Sequence, residues 1–248
     1  MKTIAVINQK GGVGKTTTAH NIGAALALRG CKILFIDLDP QSSLSLITGA
    51  NTEGVTVLEV LTRKAKASEA IQRGSQFDII AASEGLAADG ILTATGKEYR
   101  LKEALQTLSG SGYDYVILDC APSLGILTIN ALTAANTCVV PVQAEILSLQ
   151  ALKQLYPTIE TIRTYTNKDL TISGIVVTRY NGRSILSREA VQLLEAQAGA
   201  MGTKVYNTKI RESVAIKEAQ AMHNDIFTYA LRSNPSQDYQ SLINEMEL

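Results

Sequence analysis

The sequence is short of cysteine, of net charge and of long apolar runs. Its three cysteines, Cys31, Cys120 and Cys138, form no CxxC pair and lie in or beside strand-like runs, so buried thiols fit them better than a metal site. Basic and acidic residues cancel at 23 each, which by itself argues neither for nor against a nucleic-acid partner. No apolar run is long enough to cross a bilayer, and the chain opens on a strand-like segment rather than a secretory leader. A cytoplasmic protein is therefore expected. No repeat or low-complexity linker interrupts the 248 residues, so one α/β domain spanning 1–248 is expected, with a substantial core.

What is present is concentrated near the start. Thr3 to Ile7 reads as a buried strand and Thr18 to Leu28 as a helix, and between them lies Asn8-Gln9-Lys10-Gly11-Gly12-Val13-Gly14-Lys15-Thr16-Thr17. Strand, glycine loop and helix make a phosphate cradle. Gly11, Gly12 and Gly14 permit backbone conformations closed to other residues, so successive N–H groups converge on phosphate oxygens, and the helix N-terminus adds its own donors. Lys15 is placed for the β- and γ-phosphates and the Thr16 hydroxyl for Mg²⁺, with Val13 and Thr17 completing the nucleotide-binding stretch.

The ordinary loop pattern, G-x-x-x-x-G-K-S/T, would put glycine where Gln9 stands, and a second lysine, Lys10, precedes the glycine pair instead. In this the sequence resembles the deviant Walker A ATPases, which include ParA-type partition proteins and MinD-type division-site proteins. The resemblance implies that Lys10 crosses a dimer interface to the partner's nucleotide. The nitrogenase iron protein shares this loop and a cluster held by two cysteines per chain. Cys120 follows a predicted strand, but 83–112 offers no second ligand, so no iron–sulfur cluster is expected.

Lys32 to Gln41 is a second buried strand running into a loop, with Asp37 and Asp39 two residues apart at its C-terminal end, where open α/β sheets bind ligands. By spacing alone these carboxylates also fit a cap for the following helix. The D-x-D-P-Q form resembles the partition ATPases, implying that Asp39 positions or activates the attacking water and Asp37 supports the Mg²⁺ shell. Tyr113 to Asp119 is a hydrophobic strand ending in an acid, the Walker B form, in which Asp119 would hold Mg²⁺ directly or through water. Ala121 to Gly125 follows as a turn that in the family senses the γ-phosphate.

Elsewhere, Val57 to Leu61 and Ala67 to Ile71 suggest short helices, Phe77 to Ser83 a strand, Glu84 to Gly96 a flexible loop, and Tyr99 to Leu108 a helix with Leu101, Leu105 and Leu108 facing the core. A strand is expected over Asn136 to Val142, then a long helix capped by Ser148 and running to Tyr165, then a strand over Ile172 to Thr178. Thr178 is the candidate adenine contact that the resemblance implies. Pro235 to Leu248 reads as an acidic helix whose Leu242, Ile243 and Met246 pack on the body. The alternation predicts a doubly wound, mostly parallel sheet with helices on both faces.

Charge is unevenly distributed. Val176 to Lys217 carries seven basic residues against three acidic ones, whereas the tail after Lys217 carries five acids and one arginine. This fits sequence-independent phosphate contact or an ordinary solvated surface. The resemblance favours DNA and points first to Arg183, with Arg211 and Lys217 as further candidates; Ala215 stands where some relatives carry arginine.

The resulting expectation is a Mg²⁺-dependent ATPase of DNA segregation. ATP is sandwiched in a homodimer, the dimer binds nonspecific DNA on the nucleoid, and a cargo-bound ParB-like partner stimulates slow hydrolysis. No N-terminal helix-turn-helix domain and no membrane partner are expected. The alternative is a MinD-like membrane-associated ATPase that positions a division or other cellular complex.

Overall fold

The computed structural model describes residues 1–88, 90 and 92–246. The first half runs β1 (Lys2–Val6), α1 (Lys15–Ala27), β2 (Ile33–Leu38), α2 (Ser43–Ile47), α3 (Val57–Leu61), α4 (Ala67–Ala70), β3 (Ile71–Gln72), β4 (Asp78–Ile80) and α5 (Arg100–Gln106). It continues through β5 (Tyr115–Cys120), α6 (Ile126–Ala134), β6 (Thr137–Gln143), α7 (Ile146–Tyr165), β7 (Thr171–Tyr180) and α8 (Ile185–Ala200). Strand β8 (Val205–Arg211) and helices α9 (Val214–Ala221), α10 (Ile226–Ala230) and α11 (Asn234–Glu245) follow.

The strands form one sheet of order β3-β4-β2-β5-β1-β6-β7-β8, in which only the β3–β4 pair is antiparallel. The central strands are apolar on both sides because both faces are covered. Strand periodicity sends Ile4 and Val6 to one face, with α1 and α11, and Ala5 to the other, with α5, α6 and α7. Helix α1 sits tightly on β2: a Cβ at Gly23 would collide with the Phe35 ring. Phe35, Phe77 and His20 meet edge to face at the same contact.

Several sequence expectations are corrected. Helix α7 starts at Ile146 without waiting for Ser148, which lies inside its first turn, buried, its N–H bonded to the Glu145 carbonyl at 3.1 Å. Within the run from Glu84 to Gly96, Glu84–Ala87 is a 3₁₀ turn, and Leu86 and Leu92 enter the core. Positions 89 and 91 of that run lie outside the described residues, as do 247 and 248 of the expected terminal helix. Helix α11 does pack on the body through Leu242, Ile243 and Met246. Strand β8 was not foreseen, because as an edge strand it buries only Tyr206 and Ile210 among polar neighbours.

Candidate functional site

The glycine loop leaves β1 in the middle of the sheet, between β5 and β6, and is held by side chains of β6, of β7 and of its own first residues. Asn8 Nδ2 donates to the Pro141 carbonyl at 2.7 Å while its Oδ1 accepts from the Lys10 N–H at 2.9 Å. Gln143 Nε2 donates to the Gly12 carbonyl at 3.0 Å. The Thr178 hydroxyl points at the Val13 and Val142 carbonyls, at 2.8 and 3.1 Å. With these carbonyls engaged, the N–H groups of Gly11 to Thr17 donate to no hydrogen bond among the described residues. Gly12 and Gly14 take φ of +74° and +85°, which a side chain would strain. Gly14 opens α1 with no side-chain cap, so the first-turn donors of Lys15, Thr16 and Thr17 are available to an anion.

Lys15 is buried at the floor of the loop, its Nζ 3.3 Å from the Lys10 carbonyl. Burial lowers its pKa, and the charges of Asp119 and Asp39 partly restore it. An ammonium held this way gains most when a phosphate arrives.

Strand pairing delivers the acids. Asp37 and Asp119 sit opposite each other on β2 and β5, both fully buried, and Val6 at the end of β1 lies opposite Asp119. Their environments differ. Asp37 accepts from Ser45 N–H at 2.9 Å, Ser45 Oγ at 2.8 Å and Asp39 N–H at 3.0 Å, so it caps the turn into α2. Burial nevertheless raises its pKa to about 6. Asp119 has both oxygens buried without a hydrogen-bond partner among the described residues. Burial, then the Asp37 charge, pushes its pKa well up; the nearby Thr16 hydroxyl and Lys15 ease it, without a hydrogen bond of ordinary geometry. Asp39 lies just beyond the strand end, its Oδ1 accepting from the Gln41 N–H at 3.0 Å.

An orphaned carboxylate beside a threonine hydroxyl, at the foot of an anion cradle, fits a small hard cation. Mg²⁺ keeps several waters and shares its shell with phosphate. In agreement, the described residues include no cluster of three His, Cys, Asp or Glu that would hold a metal unaided. The structure thus brings Gly11, Gly12, Val13, Gly14, Lys15, Thr16, Asp37, Asp39 and Asp119 to one end of the sheet. Burial drives the Cys120 thiol up alongside, and that of Cys138 to about 12, so both are inert.

Two of the expected residues have partners within the chain. The Thr178 hydroxyl donates to the loop, and its methyl packs beside Gly14. A cleft next to it is walled by Ile210, Ile216 and Gln220, and Gln220 Nε2 donates to Thr17 Oγ1 at 2.9 Å. These residues lie on or after the unforeseen β8, so the sequence offered no signal for them. Lys10 is engaged within its own chain, ion-paired to Glu145 at the start of α7.

The basic segment separates into parts. Arg211 grips Asp238 of α11 with Nε at 3.0 Å from Oδ2 and Nη2 at 2.6 Å from Oδ1, so its charge is already offset. Lys209 is half-buried and donates to the Tyr206 carbonyl, and Lys204 lies over the Tyr206 ring. Arg179, Arg183, Arg188 and Lys217 remain exposed, in no ion pair among the described residues, around the turns that leave β7 and β8 at the same end of the sheet.

A family model described as an AAA domain matches residues 1–172. The chain is similar to the chromosome partitioning protein ParA of Caulobacter vibrioides, 39% identical over 253 residues, covering 99% of this chain and 94% of that protein. It is 38% identical over 251 residues to the sporulation initiation inhibitor protein Soj of Bacillus subtilis, with coverage of 99% and 98%. Among solved structures, cobyrinic acid a,c-diamide synthase from Mycobacterium smegmatis, with a bound ATP analogue and magnesium, superposes with a TM-score of 0.85. The two are 34% identical, with 98% of this chain and 93% of that one covered. The names differ while the frame is shared, so function rests on the site. Identity at this level along nearly the whole length decides the family: the chain belongs to the ParA/MinD-type P-loop ATPases.

Proposed function

We propose that this chain is a Mg²⁺-dependent partition ATPase whose ATP-bound homodimer binds DNA without sequence preference. The observation that carries the nucleotide part is the orphaned Asp119 beside Thr16 and Lys15 at the mouth of the glycine loop. Loop N–H groups and Lys15 bind the phosphates; Thr16 and Asp119 hold the metal. Held there, Mg²⁺ would offset the charge of the phosphates. Asp39, beyond the cradle yet close enough to act on the Lys15 charge, orients the attacking water. Lys10, released from Glu145, reaches the partner's nucleotide. Relatives named for chromosome partitioning support DNA segregation as the purpose; the stimulating partner in this reading is a cargo-bound, ParB-like protein.

Arg183 and Lys217, with Arg179, provide the DNA contacts, and Arg211 is set aside because Asp238 occupies it. A dimer doubles these contacts, so ATP governs DNA binding by governing dimerisation. Helix α11 spends its apolar face on the body, which leaves no amphipathic terminal anchor of the MinD-like kind among the described residues. DNA retention over a salt series, with ATP or ADP, tests the reading. Arg183→Glu should weaken retention on the order of tenfold for all sequences and flatten the salt slope, with ATP binding intact. Equal retention with ADP, or no change in the variant, refutes it.

A further inference from the structure

Away from the glycine loop, the turn between α3 and α4 and the exposed side of α5 enclose a cavity of about 430 Å³. None of its lining residues belongs to the nucleotide site described above. Its walls include the apolar Val60 and Ala67, both buried, together with Ala104. Four cations surround it: Arg63, Lys64, Lys66 and Arg100. Two carboxylates also line it, and both are already occupied. Glu103 pairs with Arg63, and Glu69 accepts from the Lys66 backbone N–H at 2.6 Å. Glu59, on which the Lys64 charge acts, is turned to Thr56, accepting its N–H at 2.9 Å and its hydroxyl at 2.7 Å. Lys64, Lys66 and Arg100 are thus in no ion pair among the described residues, and Arg100 Nη1 is buried with no hydrogen-bond partner.

Four cations against two carboxylates leave the lining with an excess of positive charge, and three of the cations have no ion-pair partner among the described residues. The chemistry that resolves this is a multiply charged anion. The volume lies within the roughly 300–1,000 Å³ of small-molecule sites, and the apolar wall offers a surface for a ring. We propose that this cavity is a second ligand site, for a small phosphorylated molecule of about mononucleotide size. Phosphate oxygens engage Arg100, Lys64 and Lys66, and the organic part lies against Val60 and Ala104. A planar, forked guanidinium suits phosphate, and the two lysines serve as point charges beside it.

The test is calorimetric titration of the full chain with inorganic pyrophosphate and with 5′-GMP. It is run on protein saturated with ADP and Mg²⁺, and again in the Lys15→Ala variant, which removes competing binding at the glycine loop. Saturable binding of either probe in both backgrounds is expected, weakened at least tenfold by Lys64→Ala/Lys66→Ala. Arg100→Gln should weaken it as well. Since Arg100 opens α5 and its replacement can disturb packing, the double variant of exposed lysines decides. Lys168→Ala, an exposed lysine not among the lining residues, should change nothing. Absence of saturable binding, affinity unchanged in the double variant, or an equal loss in Lys168→Ala overturns the proposal. So does binding of a hexaglutamate peptide where neither phosphate probe binds, which would mark a docking site for an acidic protein segment.

Discussion

At the β1–α1 corner, Asn8, Lys10, Gly12, Gly14, Lys15 and Thr16 are near in the chain and near in space. At the end of β8, by contrast, Arg211 meets a partner from far away, Asp238, across 27 residues. The first region is built from backbone geometry, in which a turn and a helix start impose the positions of consecutive residues. The second is a surface whose net charge depends on which distant helix lies against it. A motif is therefore a reliable guide to the former, and a running tally of charges is a poor guide to the latter.

The sharpest way to break this comparison is at the motif. Lys15→Ala should reduce ATP affinity by about 100-fold, the scale of a charge-assisted contact in a buried site, while Asp39→Ala keeps nucleotide binding and loses hydrolysis. Direct binding measurements on both variants decide it; equal losses of affinity would merge the two roles.

Helix α1 also carries a group whose effect belongs to folding. His20 is buried against Phe35 and Phe77, and burial lowers its pKa from 6.5 to about 4. The unfolded chain binds the proton first, so stability is complete above pH ~6.5 and declines as pH falls towards 4, by on the order of 3 kcal/mol over the whole window. Urea unfolding of wild type and His20→Leu at pH 7 and pH 5 should show the decline in wild type and a weaker one in the variant. A parallel pH dependence in both would relocate the effect to other groups.

At the second region, Arg211→Ala should lower stability by about 1 kcal/mol, because the pair with Asp238 is well formed but partly exposed. DNA retention should hardly change, in contrast to Arg183→Glu. A loss of retention matching that of Arg183→Glu, once stability is accounted for, would return Arg211 to the DNA surface.

The smallest effect concerns the link between the regions. Glu145→Gln removes the ion pair that holds Lys10 within its own chain. The ATP concentration needed for dimerisation should fall about threefold, since a partly exposed pair contributes less than about 1 kcal/mol. Size measurement across an ATP series reads this, and an unchanged midpoint would show that Glu145 does not restrain Lys10.

Much of the fold was legible in the sequence because the central strands are apolar runs and the loop between the first strand and helix is spelled in glycines. Asp37 and Asp119 could be located at strand ends for the same reason. Their difference could not: one is a cap and the other an orphan because Ser45 folds back onto Asp37 while no described residue completes a hydrogen bond to Asp119. Nor could Thr178 be read as a clamp on Val13, Glu145 as the partner of Lys10, or β8 as a strand, because each depends on contacts between distant segments. By itself, then, the sequence determined which residues follow one another through the loop, helix start and buried strands, where local backbone geometry and hydrophobic periodicity leave few alternatives. The tertiary structure alone decided which carboxylate is free, which lysine is restrained and which arginines remain unpaired, because electrostatic partners are chosen by proximity in space.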